Sequence, residues 1–166
     1  MPSKVFIALG SNVGDRLCYM HSAIQEISKI NSVKIIGQSR IMETEPIGVI
    51  GQSSYLNQII LIETAIGPKE LLLLFKGIEK KLGRIKREHW AEREIDIDII
   101  LYNDQVLETP ELCVPHKQIL NRLFVLEGCT QIMPDYLAPS FKKTVYELYE
   151  TLDNTVKAQK LKFFTS

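Results

Sequence analysis

The chain opens on five consecutive apolar residues, Val5-Phe6-Ile7-Ala8-Leu9, closed by Gly10-Ser11-Asn12. A short, wholly apolar run bounded by turn residues suits a buried strand. The period then lengthens. Leu17, Met20, Ile24 and Ile27 recur every third or fourth position, which predicts a helix from about Asp15 to Lys29 that lays one apolar stripe on a sheet. Strand composition resumes from Val33 to Met42. Glu43 to Ser54 contains Pro46, Gly48 and Gly51 and keeps neither period, so a loop is expected there, of a length that usually marks function or disorder. Tyr55 to Thr64 alternates again, with Tyr55, Asn57, Ile59 and Leu61 on one face and Leu56, Gln58, Ile60 and Ile62 on the other. Gly67-Pro68 opens a second helix, striped by Leu71, Phe75, Ile78 and Leu82 and stopped by Gly83, with proline and glycine at their preferred ends. After a polar loop from Arg84 to Glu94, a fourth strand is predicted from Ile95 to Tyr102. Its alternation sets Ile95, Ile97, Ile99 and Leu101 against Asp96, Asp98, Ile100 and Tyr102.

Strand, helix, strand, strand, helix, strand is the order of the split βαβ, ferredoxin-like arrangement. The expected fold is therefore α+β: a four-stranded antiparallel sheet with helices on one face. The other face is left for a ligand or for the remaining chain. Leu120 to Ile132 and Lys143 to Leu152 are predicted to add helices, and the basic, aromatic end from Lys157 to Phe164 is expected to be a mobile or loosely docked tail.

Composition narrows the function classes. A chain of 166 residues has the length of one domain, taken as residues 1–166, and leaves no room for a second catalytic one. Apolar residues make 45% and charged residues 24%, a globular balance that excludes disordered and fibrous classes. Twenty basic residues offset twenty acidic ones, so no global field draws the protein onto nucleic acid or an anionic membrane, and any anion site must be local. Cys18, Cys113 and Cys129 are odd in number and widely spaced, which argues against a disulfide framework or a zinc site. No signal-peptide core and no run of ~18 apolar residues is found. A cytoplasmic protein acting on small molecules, without nucleic acid, membrane or a second copy of itself, is expected.

The chemistry concentrates around Arg93-Glu94-Ile95-Asp96-Ile97-Asp98. Asp96 and Asp98 leave the same strand face ~7 Å apart along the chain, a spacing from which carboxylates can bracket magnesium. Taken alone, such a pair reads more readily as the solvated face of an edge strand. Its neighbours change the balance. Gly83 to Arg93 carries Arg84, Lys86, Arg87 and Arg93 together with His89, and carboxylates that hold magnesium beside arginines that fork onto phosphate oxygens suit a polyphosphate. His116 after Pro115, and Arg122 in Asn121-Arg122-Leu123-Phe124, follow downstream. Tyr55 and Asn57 offer an aromatic ring and an amide to a flat heterocycle. Gly10-Ser11-Asn12-Val13-Gly14 lacks the ending and spacing of a phosphate loop and reads as a tight turn with a helix cap.

Together, Phe6 to Asp15, Thr44-Glu45-Pro46-Ile47-Gly48, Tyr55-Leu56-Asn57, Gly83-Arg84, Arg93 to Asp98, Pro115-His116 and Asn121 to Phe124 resemble, in order and spacing, the 6-hydroxymethyl-7,8-dihydropterin pyrophosphokinases of folate biosynthesis. The likeness covers about residues 4–139, leaving 140–166 as a C-terminal helix and tail. It implies transfer of a pyrophosphoryl unit from ATP to the pterin hydroxymethyl group, with AMP released. By the same resemblance Asp96 and Asp98 would hold two Mg2+ ions, and Arg84 and Arg93 would steady the phosphates as catalytic residues. Lys86, His116 and Arg122 would contact ATP, with Glu79, Trp90 and Ile99 nearer the nucleoside. Thr44, Ile47, Gly48 and Asn57 would take the pterin edge, and Tyr55 and Phe124 its faces. The long loops, Glu43 to Ser54 and Arg84 to Glu94, are candidate lids against water. The chain departs from the family at Ala91-Glu92, where Gly-Pro is usual, and at Lys86 and His89, where arginine is common. Two other readings compete: an RNA-recognition-like binding module on the same frame, and a non-catalytic nucleotide-binding relative.

Overall fold

The computed structural model describes residues 1–46, 50–88 and 91–165. The opening apolar run becomes β1 (Ser3–Ser11), and its residues from Val5 to Leu9 are buried on both faces because β1 lies inside the sheet. α1 (Arg16–Ser28) starts where Asp15 accepts the Cys18 N–H at 3.1 Å, which satisfies one of the first-turn donors. The strand predicted from Val33 to Met42 ends early as β2 (Val33–Gln38), and a further strand, β3 (Met42–Thr44), runs into the segment expected to be loop. The break falls at Ser39, whose hydroxyl accepts the Ile59 N–H at 2.9 Å and so takes over a ladder bond with its side chain. Both pieces pair antiparallel with β4 (Tyr55–Thr64). α2 (Pro68–Lys81) begins at its proline and ends before Gly83, whose φ of 100° is open to glycine at low cost. β5 (Asp96–Tyr102) then pairs antiparallel with β1.

Beyond β5 come the short hairpin of β6 (Leu107–Glu108) and β7 (Cys113–Val114), then α3 (Leu123–Ile132), which starts three residues later than the predicted Leu120. A second hairpin, β8 (Leu137–Ala138) with β9 (Lys143–Thr144), replaces the start of the helix predicted from Lys143. That helix is α4 (Val145–Glu150), set by a capping box between Thr144 and Glu147. The tail is corrected too: it forms α5 (Asn154–Lys157) and β10 (Leu161–Phe163), and β10 pairs antiparallel with β3. Phe163 lies 3.9 Å beneath the Arg40 guanidinium, and Phe164 N–H donates to Ile41 O at 2.8 Å. The main sheet therefore runs β10-β3-β4-β1-β5 with β2 also on β4, six strands where four were expected.

Two cores flank this sheet. α1 and α2 bury Met20, Ile27, Leu71 and Phe75 against Val5, Ile7, Leu9, Ile60 and Ile97. On the opposite face α3 and α4 bury Val125, Leu126, Cys129 and Leu148 against Phe6, Ile59, Leu61 and Met42. Helices thus cover both faces, and the second is covered only in part. α3 comes close because Gly128 has no side chain; a Cβ there would stand 2.2 Å from Ile59 Cγ1. The alternation of β5 also breaks. A register shift between Phe6 and Ile7, opposite Ile100, turns Leu101 onto the α3 face and Tyr102 onto the α1 face, the reverse of their predicted sides.

Candidate active site

The site occupies the end of the sheet face that α3 leaves bare. Register places it: Gly10 of β1 stands opposite Asn57 of β4 on one side and Asp96 of β5 on the other, with Asp98 opposite Ala8. Neighbouring strands lie ~4.8 Å apart, so acid and amide flank a strip about two strand spacings wide. Its floor is backbone. A Cβ at Gly10 would reach 3.0 Å from Asn57 Oδ1 and 3.6 Å from Tyr55 Cδ1, so glycine is what keeps the strip open. Asn57 Nδ2 donates to Thr44 Oγ1 at 2.6 Å, which orients the amide from β3. Burial raises the Tyr55 hydroxyl pKa, with the charges of Arg93, Asp96, Arg122 and Arg84 all felt there. Tyr55 and Asn57 share a face of β4, as the alternation predicted, and Thr44 joins them from β3, where a loop was expected.

The acidic side is a lattice of charges. Arg84 Nη1 lies 2.7 Å from Glu79 Oε1 and 3.1 Å from Asp96 Oδ1, and Arg93 Nη1 lies 3.1 Å from Asp96 Oδ2. Glu79 Oε2 also accepts the Ile97 N–H at 2.7 Å, so Glu79 ties α2 to the edge of β5 while it aims Arg84. Burial is the main reason its pKa is raised. Asp98 is raised much further, first by desolvation and then by the neighbouring charges of Asp96 and Glu79, with Arg122 opposing. Arg84, Arg93 and Lys86 line an open cleft of about 290 Å³ with Lys76, Lys80 and Arg87. Arg87 forks onto Glu94 at 2.9 and 2.7 Å and holds that carboxyl down at about 2.

His116 is held beside β5 by its N–H, which donates to Ile100 O at 2.9 Å. Burial lowers its pKa, with Arg122 adding to the effect. Its Nδ1 accepts the Gln118 N–H at 3.1 Å, so the neutral ring carries its proton on Nε2 and presents a donor. Arg122, at the N-terminus of α3, acts on Tyr55, Asp98 and His116 and so reaches both halves of the site. Phe124, in the first turn of α3, is half-buried beside the second core. Ile99 lies on the edge strand β5 with its side chain, 2% exposed, packed in the α1/α2 core on the far face. Only the backbone of this edge strand is left there for a ligand. Ile47, Gly48 and Trp90 lie outside the described residues.

Two supporting residues were not anticipated. Asn12, fully buried, accepts the Arg93 N–H on its Oδ1 at 2.8 Å, while its own N–H donates to Arg93 O at 3.1 Å. Its Nδ2 donates to Gln52 Oε1 and Ser53 O at 3.3 and 3.4 Å. One amide thus joins the two long loops. Arg16 likewise donates to Ser54 O at 2.9 Å while pairing with Glu43 at the same distance. Gly10-Ser11-Asn12 was legible as a turn, but nothing local says that a distant loop will close on it.

Among the described residues no third histidine, cysteine or carboxylate completes a metal cage with the aspartates. Magnesium does not require one, since it binds through one or two carboxylates and takes phosphate and water oxygens for the rest. Asp98 is buried, and Asp96 and Glu79 oppose negative charge on it, so a divalent cation would relieve repulsion there.

Paired carboxylates and clustered arginines facing an amide and an aromatic ring define, on this α+β frame, the phosphoryl-transfer class of enzyme. The family model for 7,8-dihydro-6-hydroxymethylpterin-pyrophosphokinase matches residues 6–134, and the chain belongs to that family. A 2-amino-4-hydroxy-6-hydroxymethyldihydropteridine pyrophosphokinase of Aquifex aeolicus is 38% identical over 155 residues, 93% of this chain and 94% of that one. Its counterpart in Bacillus subtilis is 40% identical over 132 residues, 80% of this chain and 79% of that one. The fold is shared with a crystal structure of Plasmodium falciparum HPPK-DHPS at a TM-score of 0.72 and 16% identity, over 95% of this chain and 45% of that one. The chain spans about half the length of that longer protein.

Proposed function

We propose that the protein transfers pyrophosphate from ATP to 6-hydroxymethyl-7,8-dihydropterin, giving AMP and the pterin diphosphate in folate biosynthesis. The supporting observation is the strip over Gly10, with Asn57 and Tyr55 on one side and Asp96, Asp98, Arg84 and Arg93 on the other. The pterin hydroxymethyl oxygen attacks the β-phosphorus, the bond from that phosphorus to the α,β-bridging oxygen breaks with its electron pair leaving on AMP, and the hydroxyl proton passes to solvent.

Asn57 holds the pterin edge with Thr44, and Tyr55 and Phe124 supply its flat faces. Arg84 and Arg93 oppose the charge that moves onto the departing AMP. Glu79 and Asp96 hold the Arg84 guanidinium, Asp96 holds that of Arg93, and Asn12 fixes the Arg93 backbone. His116 and Arg122 donate to the triphosphate, and Lys86 adds a charge at the cleft mouth. Asp96 and Asp98 would hold two Mg2+ ions, which would supply neutralisation of triphosphate charge. The balanced charge, twenty basic against twenty acidic residues, gives no global field toward nucleic acid, and the reading takes the protein as a monomer acting on small molecules. No described helix is long and apolar enough to cross a membrane. Three free cysteines agree with a reducing, cytoplasmic setting.

The test is AMP release from ATP and magnesium with and without the hydroxymethyl pterin. Pterin-dependent AMP supports the reading, and its absence in folded protein refutes it. Asp98→Ala is expected to lower kcat on the order of 100-fold or more while pterin affinity stays near wild type. Parallel losses in both would make Asp98 a structural residue.

A further inference from the structure

The C-terminal strap lies beyond the residues the family model matches, yet it touches the site's framework twice. Arg122 is the first residue of the α3 turn and has no side-chain cap, so the leading N–H groups of α3 lack helical partners. Gln159 supplies one. Its Oε1 accepts the Leu123 N–H at 3.0 Å, and its Nε2 donates to Asn121 O at 2.8 Å. A single amide therefore grips the backbone on both sides of Arg122. Gln159 is itself fixed: its N–H donates to Val156 O at 3.1 Å, and Val156 is buried in the second core. Two residues on, Leu161 pairs with Thr44, the residue that orients Asn57.

We infer that Gln159 is a positioning residue for Arg122: its amide sets the backbone from which the guanidinium reaches the nucleotide phosphates. The inference rests on the functional reading that Arg122 binds those phosphates. The preceding segment has no sheet partner to hold it, and Asn121 is exposed. Without the clamp, Arg122 O still accepts the Val125 N–H at 3.2 Å and Asn121 still donates to Gln118 O and Oε1 at 3.0 Å each, but the two bonds that tie the peptides on either side of Arg122 to the strap are lost. A long side chain magnifies small backbone rotations, and displacement by ~1 Å is enough to cost heavily at a reacting centre.

The experiment is a double-mutant cycle on the full chain, with KM for ATP, kcat, pterin affinity and melting temperature measured for each variant. Gln159→Ala is expected to raise KM for ATP roughly tenfold and leave pterin affinity unchanged. Gln159→Glu keeps the acceptor for Leu123 and loses the donor to Asn121, so it should fall between wild type and Gln159→Ala. In an Arg122→Ala background, Gln159→Ala should add nothing to KM for ATP, because the residue it positions is gone. Lys162→Ala, which loosens the same strap at its 3.3 Å pairing with Glu43, controls for general destabilisation. It should lower the melting temperature without the ATP effect. If Arg122→Ala raises KM and Gln159→Ala does not, the clamp is wrong. Additive effects in the cycle, or equal losses of ATP and pterin binding that track melting temperature, also overturn it. If Arg122→Ala leaves KM unchanged, the phosphate role of Arg122 fails first and the inference falls with it.

Discussion

At the residue scale, the site separates groups that do chemistry from groups that hold them. Burial, Asp96 and Glu79 all oppose a negative charge on Asp98 and raise its pKa well above the ordinary value. Asp98→Asn is therefore expected to keep or raise the melting temperature measured without magnesium while turnover collapses. A melting temperature several degrees lower would show that the carboxylate supports the fold. Asn12 is the converse case. Asn12→Ala strips the buried acceptor from Arg93 N–H, which should cost about 1–3 kcal/mol of unfolding free energy and also weaken ATP use. Denaturant melts that match wild type would remove Asn12 from the framework. The carboxylates and arginines stood out in the sequence through their clustering and through the motifs they share with the family. The roles of Asn12 and Gly10 were not legible, because what matters about each is the atom from another segment that comes to lie against it.

At the scale of elements, local pattern carried far where the period was clean. The stripes of α1 and α2 and the two faces of β4 follow from spacing. Misses came where a strand was interrupted by something nonlocal. Ser39 takes over a ladder bond and splits β2 from β3, and the register shift in β5 swaps the sides of Leu101 and Tyr102. Neither event changes composition, so alternation could not report it. The contact of α3 with β4 is equally specific. Gly128→Ala would drive a Cβ into Ile59, and overpacking of this kind costs about 1–3 kcal/mol. Unchanged stability in chemical denaturation would mean that α3 can slide on the sheet.

At the scale of the whole molecule, the strap and the first helix meet at one carboxylate. Glu43 pairs with Arg16 at 2.9 Å and Lys162 at 3.3 Å. Its pKa lies below the ordinary value of 4.5, chiefly through the hydrogen bond from Arg16. A carboxyl with a lowered folded-state pKa adds stability that is present above its unfolded value and is lost as pH falls through the folded one. The stability gap between wild type and Arg16→Ala should thus be constant above about pH 5 and narrow on acidification. A residue of the gap persists, because the bond to Ser54 O does not titrate. A gap independent of pH would mean that Glu43 gains nothing from its partner. The tail itself shows why termini resist reading from sequence. Three residues, Leu161 to Phe163, become a strand only because β3 offers an unpaired edge.

What the sequence determined by itself was the alternation of strand and helix from β1 to β5, the buried faces of α1, α2 and β4, and the charged residues clustered before and on β5, since periodicity and residue type are local properties. Tertiary structure alone decided that Gly10 lies between acid and amide, that Asn12 fastens both loops, and that Gln159 grips the backbone around Arg122. Each of these depends on register or on hydrogen bonds between residues far apart in the chain, and a backbone donor or acceptor carries no mark of its partner until the fold brings the two together.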